Sequence, residues 1–329
     1  MRAVDVHVHV VVPELVGEGP WCAQVRREDG PEVVEWRGQR VRSLVRGFAG
    51  PDAVVEGLGR AGVDAVVLFP WVSMLPCEEQ DVGLAGEVCE AWNGGVARVC
   101  ARHPGRAWAC GAAPLQESAP AAPVLEDVRR RPGLVGVEVP ASVAGGARGA
   151  CPEKSFGHTR PGSPKIAARF LGWSRRRRLP ALLGGGGRPG SCCVRTPHRQ
   201  RAGRSRPGRR LPLVLLPHSG GALPALRGRL RHAHGFQPLA RSRLRGDVDA
   251  CLRRFLYDAV THDAVLLRKL VEWARPVQVV LGSDWPFDMG LEDPVGFVRS
   301  AGLGAETEPR VLGENAVRIL GREVRGEHG

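Results

Sequence analysis

The strongest constraint on the fold is a regular alternation of apolar, strand-like runs with segments of helical spacing. Seven runs are strand-like: Ala3–Val12, Asp64–Phe69, Arg106–Ala112, Leu134–Val139, Leu211–Leu216, Arg254–Ala259 and Val277–Leu281. Helical spacing occurs between them, at 51–61, 78–102, 119–131, 223–231 and 263–274. Such alternation is typical of parallel βα units. With an eighth strand placed in the 150–210 gap, the chain is predicted to be an α/β protein folded as an eight-stranded βα barrel.

The positive charge of the chain is concentrated in one segment. The formal net charge is +13, but residues 148–210 hold 17 Lys or Arg and a single acidic residue, Glu153, so the remainder carries −3. The same segment contains 11 glycines and 7 prolines and shows neither strand alternation nor helical spacing. Three interpretations compete: a disordered basic insertion, a nucleic-acid-binding arm, or a stretch translated from a shifted reading frame. The lack of an interleaved series of Tyr or Phe argues against the arm.

Composition also bears on the compartment. No run of about 18 apolar residues occurs, and the N-terminus lacks the features of a signal peptide. The nine cysteines are irregularly spaced and mostly lie in apolar segments, which is typical of buried thiols rather than of a disulfide framework. We therefore predict a cytoplasmic protein with no membrane partner.

The first strand carries a pair of histidines. Alternate residues of a strand point to one face, so His7 and His9 project together, opposite Val6 and Val8. Two imidazoles on one face form half of a zinc site, or else a hydrogen-bonded pair on an edge strand.

Two later strands also end in polar side chains. His218 follows the run that ends at Leu216, where it would serve as a general acid or base, or as a simple turn residue. Asp284 follows the last strand and either faces the barrel mouth or caps the next helix. A barrel brings its first strand beside its last, so Asp284 is expected next to His7 and His9. Two histidines and a carboxylate with an open position match a catalytic divalent ion such as zinc.

Several further residues are weaker candidates. Arg42 and Arg46 would clamp a substrate carboxylate, although surface arginines are common. Trp71 either lines the pocket or packs in the core, and Asp258 either binds substrate or braces the rim. The candidate substrate-binding residues are therefore Arg42, Trp71, Asp258 and Phe287. A further pair, His232 and His234, is interpreted as part of a solvated helix end rather than as metal ligands.

Five motifs, taken in order, resemble one known family. They are DVHVH at 5–9, PHSGG at 217–221, YDAV at 257–260, GSDWPF at 282–287 and GENA at 313–316. Over residues 1–140 and 212–321 the chain is similar to the aminocarboxymuconate-semialdehyde decarboxylase family of the amidohydrolase superfamily. The resemblance implies a distorted TIM (β/α)8 barrel. Family members mostly remove CO2 without oxidation from unsaturated or aromatic carboxylic acids, and relatives hydrolyse or hydrate related compounds.

The resemblance also implies roles for particular residues. One divalent metal ion, usually Zn2+, would be bound by His7, His9, Asp284 and a further mid-chain histidine. His218 would hydrogen-bond the metal-bound water and move protons, and Arg42 would hold the substrate carboxylate.

The chain departs from the family pattern in its middle. The mid-chain ligand is expected near residues 175–200, after an apolar strand, and no such strand is evident there. His158 and His198 lie in the basic segment and are not carried over. We predict a single barrel domain over residues 1–321, interrupted by the basic segment 148–210 and followed by a polar tail at 322–329.

The predicted function is a metal-dependent, non-oxidative decarboxylase of a small unsaturated or aromatic carboxylate. The first alternative is a hydrolase of an amide, ester or lactone at the same ion, and the second is a non-catalytic barrel with a basic nucleic-acid-binding segment. The resemblance favours a homodimer.

Overall fold

The computed structural model describes residues 2–27, 32–43, 47–77, 79–140, 167–171, 213–244 and 246–321. Its strands are β1 Val4–Val10, β2 Gln24–Arg27, β3 Glu32–Trp36, β4 Gln39–Arg42, β5 Ala65–Pro70, β6 Ala107–Gly111, β7 Leu134–Pro140, β8 Ala167–Leu171, β9 Leu213–Leu216, β10 Leu256–Asp258 and β11 Val279–Val280. Eight of them form one sheet in the order β1-β5-β6-β7-β8-β9-β10-β11, and β2, β3 and β4 form a second.

Backbone hydrogen bonds join the two ends of the large sheet. The Val6 N–H donates to the Leu281 carbonyl at 3.0 Å, and the Asp284 N–H donates to the His7 carbonyl at 2.9 Å. The His9 N–H donates to the Trp285 carbonyl at 2.7 Å. The first strand therefore lies beside the segment that follows the last one, as in a distorted βα barrel.

Helices cover the outside of this ring. They are α1 Pro51–Arg60, α2 Val82–Arg102, α3 Ser118–Arg130, α4 Leu223–Phe236, α5 Pro238–Arg243, α6 Val248–Leu252, α7 Ala264–Ala274, α8 Pro294–Ser300 and α9 Asn315–Leu320. Asp81 and Asp263 cap the N-termini of α2 and α7 by accepting backbone hydrogen bonds. The five predicted helices are thus confirmed, with ends that shift by a few residues. No helix of the described ranges has the length and apolar character that a membrane crossing would require.

The buried apolar side chains form two clusters. The smaller draws residues from seven strands of the large sheet and from α9, so it fills the inside of the ring. The larger packs the helices against the outer faces of the strands. Of the six described cysteines, Cys77, Cys89, Cys100 and Cys110 are buried, as predicted for most of the thiols, whereas Cys22 and Cys251 are partly exposed.

The middle of the sheet differs from the predicted all-parallel arrangement. An eighth strand does occur in the 150–210 gap, but β8 runs antiparallel to both β7 and β9. Its carboxyl end therefore lies at the edge of the sheet opposite to that of the other strands. His158 and His198 lie outside the described residues.

The small antiparallel sheet was not predicted. Strands β3 and β4 are joined at Arg37 and Gly38, which both adopt positive φ (44° and 74°), as a two-residue hairpin requires. The residue after β4, Ser43, forms an isolated antiparallel bridge with Phe287. This bridge places the end of β4 at the mouth of the barrel.

Candidate metal centre

His7, His9 and Asp284 meet at the mouth of the barrel. The two Nε2 atoms of the histidines are 3.2 Å apart. Asp284 Oδ1 lies 3.0 Å from His7 Nε2 and 3.3 Å from His9 Nε2. The structure therefore brings together the three residues that the sequence placed on the first and last strands.

The second nitrogen of each ring determines which atoms face the centre. His9 Nδ1 lies 2.8 Å from the Pro70 carbonyl oxygen, which only accepts hydrogen bonds, so this nitrogen carries the proton. His7 Nδ1 lies 2.6 Å from Asp258 Oδ2 and donates to that carboxylate. In the neutral rings, both Nε2 atoms thus present a lone pair toward Asp284.

This arrangement fits a divalent metal ion. Three acceptor atoms within 3.3 Å of one another repel unless a positive charge lies among them. Ligand atoms bonded to one tetrahedral zinc ion at about 2.0–2.1 Å are about 3.3 Å apart, close to the observed separations. Two imidazole nitrogens and a carboxylate oxygen form a donor set that suits such an ion.

An irregularity in β1 allows the histidines to reach the mouth. The pairing of β1 with β5 shifts register between Asp5 and Val8. The fully buried Asp5 side chain accepts from the backbone N–H groups of His7, at 2.9 Å, and Ser283, at 3.2 Å. Burial raises the pKa of Asp5 to about 6 against the lowering effect of these hydrogen bonds. Asp5 therefore ties the irregular part of β1 to the segment that carries Asp284.

Asp284 is held by its backbone and by the two histidines. It adopts a left-handed conformation with φ of 60°, and its N–H bonds to the His7 carbonyl. Burial alone would raise the pKa of Asp284, but His7 and His9, when both of their ring nitrogens are protonated, outweigh burial through charge and hydrogen bonds and hold the pKa well below its usual range. The carboxylate is therefore charged and available as a ligand.

Asp258 lies behind His7, away from solvent. The residue is 0% exposed, and its Oδ2 accepts from His7 Nδ1 and from the His218 N–H at 2.9 Å. Its Oδ1 accepts from the N–H groups of Ser219, at 2.7 Å, and Val260, at 3.2 Å. Burial would raise the pKa of Asp258, but the contacts with His7 and His218 lower it further than burial raises it. All of these contacts are with groups of the protein itself.

His218 stands at the open side of the same centre. Its side chain is 55% exposed, and its Nδ1 is 3.8 Å from Asp284 Oδ2. Its ring centroid is 5.2 Å from that of His7. One ligand atom each from His7, His218 and Asp284 lies within 4.8 Å of the others. His218 thus faces solvent and the centre at once.

Aromatic rings form one wall of the mouth. The Phe287 ring centroid is 4.9 Å from His9, 5.3 Å from Phe48 and 6.4 Å from Trp71. Trp71 is 5% exposed, so it supports this wall from below. Arg42 is exposed on β4, one residue before the bridge to Phe287. Arg46 lies outside the described residues.

Sequence reasoning did not identify two supports of the site. The sequence gives no signal for the Pro70 carbonyl, because any residue at the end of β5 would supply a backbone carbonyl at that place. Gly282 has a signal in the GSDW motif, because a Cβ there would lie 2.7 Å from Asp258 Cβ and 2.9 Å from His7 Cβ. His234 Nε2 bonds the Leu244 carbonyl at 2.8 Å, and His232 packs on Phe236, as expected for residues of a helix end.

Characterised proteins that are similar to this chain in sequence or in structure include decarboxylases. The 2-amino-3-carboxymuconate-6-semialdehyde decarboxylase of Dictyostelium discoideum is 26% identical over 354 aligned positions, which cover 97% of this chain and 91% of that protein. The 2,6-dihydroxybenzoate decarboxylase from Rhizobium has a similar structure, with a TM-score of 0.64 and 16% identity over 97% of this chain and 98% of its own.

A second similar structure contains a metal. The 5-carboxyvanillate decarboxylase from Novosphingobium aromaticivorans, complexed with manganese, superposes with a TM-score of 0.62 at 12% identity over 98% of this chain and 96% of its own. The structural likenesses confirm the predicted distorted TIM barrel. The family model described as Amidohydrolase matches residues 4–322. The chain therefore belongs to the amidohydrolase family.

Proposed function

We propose that this protein is a metal-dependent carboxy-lyase that removes CO2, without oxidation, from a small unsaturated or aromatic carboxylic acid. The observation that carries the proposal is the convergence of His7, His9 and Asp284 beneath the half-exposed ring of His218. It combines a set of metal ligands with a group able to exchange protons with solvent.

Relatives support lyase chemistry over hydrolysis. The relative that aligns with 97% of this chain is a decarboxylase, and so are the two structural neighbours described above. All three act on unsaturated or aromatic carboxylates according to their names. The aromatic wall formed by Phe287, Phe48 and Trp71 would suit a planar substrate of this class.

His7, His9 and Asp284 would hold the metal ion, which we propose to be zinc, with manganese as the alternative. When bound, the ion supplies a Lewis acid that polarises substrate oxygens. A further ligand from residues 148–210 would lie outside the described residues. The Nδ1 partners of His7 and His9 keep both Nε2 atoms unprotonated and ready to bind.

The remaining residues would bind the substrate and move the proton. Arg42 would pair with a substrate oxygen anion from the exposed end of β4. His218 would donate a proton to the carbon that bears the carboxylate. The bond to the carboxylate then breaks, CO2 leaves, and the electron pair of that bond restores the unsaturation. Because His218 is half exposed, it regains a proton from water.

The apolar wall would assist the loss of CO2. Phe287 and Trp71 exclude water from one side of the mouth, and a carboxylate is less stable in such surroundings than neutral CO2. We propose contact with substrate for Phe287 and support of Phe287 for Trp71. Contact between Asp258 and substrate would require the carboxylate to leave the four donors that surround it.

A direct assay separates the candidate functions. The purified full-length chain is stripped with EDTA, reloaded with Zn2+ or Mn2+, and mixed with 2,6-dihydroxybenzoate, 5-carboxyvanillate or 2-amino-3-carboxymuconate-6-semialdehyde. We expect metal-stimulated CO2 release from at least one of them, and an increased KM in Arg42→Ala.

Acid release from an ester, lactone or amide without any CO2 would instead support the hydrolase. Binding of single or double strands at about 0.15 M salt, with no turnover in either assay, would support the nucleic-acid-binding alternative.

We propose a cytoplasmic homodimer whose barrel domain spans residues 1–321, with the basic segment 148–210 as an interruption and 322–329 as a tail. Light scattering of the purified protein would measure its mass against the 35.4 kDa of one chain. A monomeric mass would exclude the dimer.

A further inference from the structure

We propose that Asp258 is a positioning residue that couples the metal ligand His7 to His218. One carboxylate would then set both the affinity for the metal and the place of the proton donor. The role of His218 in this inference rests on the proposed function, whereas the effect on metal binding does not.

The four donors around Asp258 occupy both of its oxygens. Oδ2 accepts from the His7 ring at 2.6 Å and from the His218 N–H at 2.9 Å. Oδ1 accepts from the Ser219 N–H at 2.7 Å and from the Val260 N–H at 3.2 Å. His7 and His218 thus share a single oxygen atom, so a movement of one is transmitted to the other.

The backbone of the turn after β9 depends on this carboxylate. His218 and Ser219 both adopt the left-handed conformation, with φ of 51° and 57°. Non-glycine residues in this region are strained and persist only where surrounding contacts enforce them. The charged acceptor that binds both N–H groups is such a contact, and the Ser219 hydroxyl adds a bond to the Asp258 carbonyl at 3.0 Å.

Asp258 also determines which ring nitrogen of His7 carries the proton. A proton held on Nδ1 by Asp258 leaves Nε2 free to bind the ion. Without the Asp258 carboxylate as acceptor, the proton of His7 Nδ1 would be able to move to Nε2, which lies 3.0 Å from Asp284 Oδ1. Metal binding would then have to displace that proton.

The close packing around Asp258 leaves no room for a different role. The residue is 0% exposed, and the missing side chain of Gly282 allows Asp258 and His7 to approach each other. A substrate in the mouth would therefore contact the half-exposed His218 rather than the buried Asp258.

Replacement of Asp258 by Asn is the informative change, because the amide has only one accepting oxygen. If the oxygen faces Ser219 and Val260, the NH2 group meets the His218 N–H and donates to His7 Nδ1, which forces the proton onto Nε2. If the amide is turned round, the NH2 group meets two backbone donors. Neither orientation satisfies all four partners.

The experiment compares Asp258→Asn with the wild type and with Tyr257→Phe. The control removes a buried hydrogen bond of the same strand, from the Tyr257 hydroxyl to the Leu252 carbonyl at 2.8 Å, and leaves the Asp258 carboxylate intact. Mn2+ affinity is measured by electron paramagnetic resonance, and the His218 and Ser219 amide protons are followed by NMR.

In Asp258→Asn we expect Mn2+ affinity to fall about 10- to 100-fold and both amide protons to move upfield. In Tyr257→Phe, we expect affinity within about twofold of the wild type and unchanged amide shifts. Unchanged affinity or unchanged amide shifts in Asp258→Asn would overturn the proposal. Absence of CO2 release from the wild type would remove the proposed function but not the effect on metal binding.

A measurement on the wild type covers the case in which Asp258→Asn does not fold. In protein labelled with 15N histidine, His7 and His9 are both expected to be protonated at Nδ1 in the metal-free state near neutral pH. A His7 ring protonated only at Nε2 would overturn the proposal without any variant.

Discussion

The two sides of the barrel differ in how their strands are arranged. On the side where β1 meets the segment after β11, which we call the closure side, three backbone hydrogen bonds join β1 to that segment. His7, His9 and Asp284 come together there. On the other side, β8 runs antiparallel between β7 and β9. Parallel strands present their carboxyl ends to one edge, whereas a reversed strand presents its amino end there. The meeting of the three proposed ligands therefore depends on the closure side and not on the direction of β8.

The largest expected effect follows from a break in the closure side. His7→Ala removes a proposed ligand atom and leaves the buried Asp258 carboxylate without its closest partner. Metal affinity should fall by at least about 100-fold, the upper end of what loss of an outer partner costs, and metal-stimulated CO2 release should disappear. Calorimetric titration with Zn2+ and the CO2 assay check this. An undiminished rate would exclude the metal mechanism.

A truncation next to the reversed strand should separate stability from metal binding. Leu215→Ala in β9 removes a fully buried side chain at a backbone position that pairs with β8. Such truncations cost about 2–5 kcal/mol of unfolding free energy. We expect urea unfolding to show this loss, with Mn2+ affinity of the folded protein within about twofold of the wild type. A tenfold weaker affinity would show that the two sides are coupled.

A methyl group at Gly282 should disturb the closure side through packing alone. The added Cβ would lie less than 3 Å from Cβ atoms of Asp258 and His7, and overpacking of this kind costs about 1–3 kcal/mol. Thermal unfolding and metal titration should both report the change in Gly282→Ala. Gly86→Ala is the matched control, because nothing lies within 4 Å of its Cβ and alanine favours the helix by about 0.5–1 kcal/mol. Equal stability in both variants would contradict the packing argument.

The smallest effect is expected at a surface ion pair near the closure side. Asp52 of α1 accepts from Arg102 at 2.7 Å and from His103 at 2.7 Å. The Arg102 guanidinium holds the pKa of Asp52 below its ordinary value against the opposing effect of partial burial. The pair therefore stabilises the fold above the unfolded-state pKa of about 3.9, and this contribution disappears as the pH falls through the lower folded-state pKa.

Because Asp52 is 43% exposed, Asp52→Asn should cost less than about 1 kcal/mol at pH 7. The difference in Tm from the wild type should shrink toward pH 3. A difference that grows on acidification would show that the sign is wrong.

Much of the fold and of the site could be predicted from local patterns. The seven strand-like runs are all strands, because apolar runs between turns need a buried sheet. The HVH alternation and the acid after the last strand sufficed to predict that His7, His9 and Asp284 meet. The small sheet β2–β4 went unpredicted because its turn, Arg37-Gly38, lacks the usual Asn-Gly or Asp-Gly signal.

The sequence by itself determined which polar side chains end the strands and in what order. Only the tertiary structure decided the partner of each one. Asp258 is 251 residues from His7, and no local pattern distinguishes a carboxylate that faces substrate from one that supports a ligand. The direction of β8 is likewise a matter of pairing, since a strand has the same residue alternation whether its neighbours run parallel or antiparallel to it.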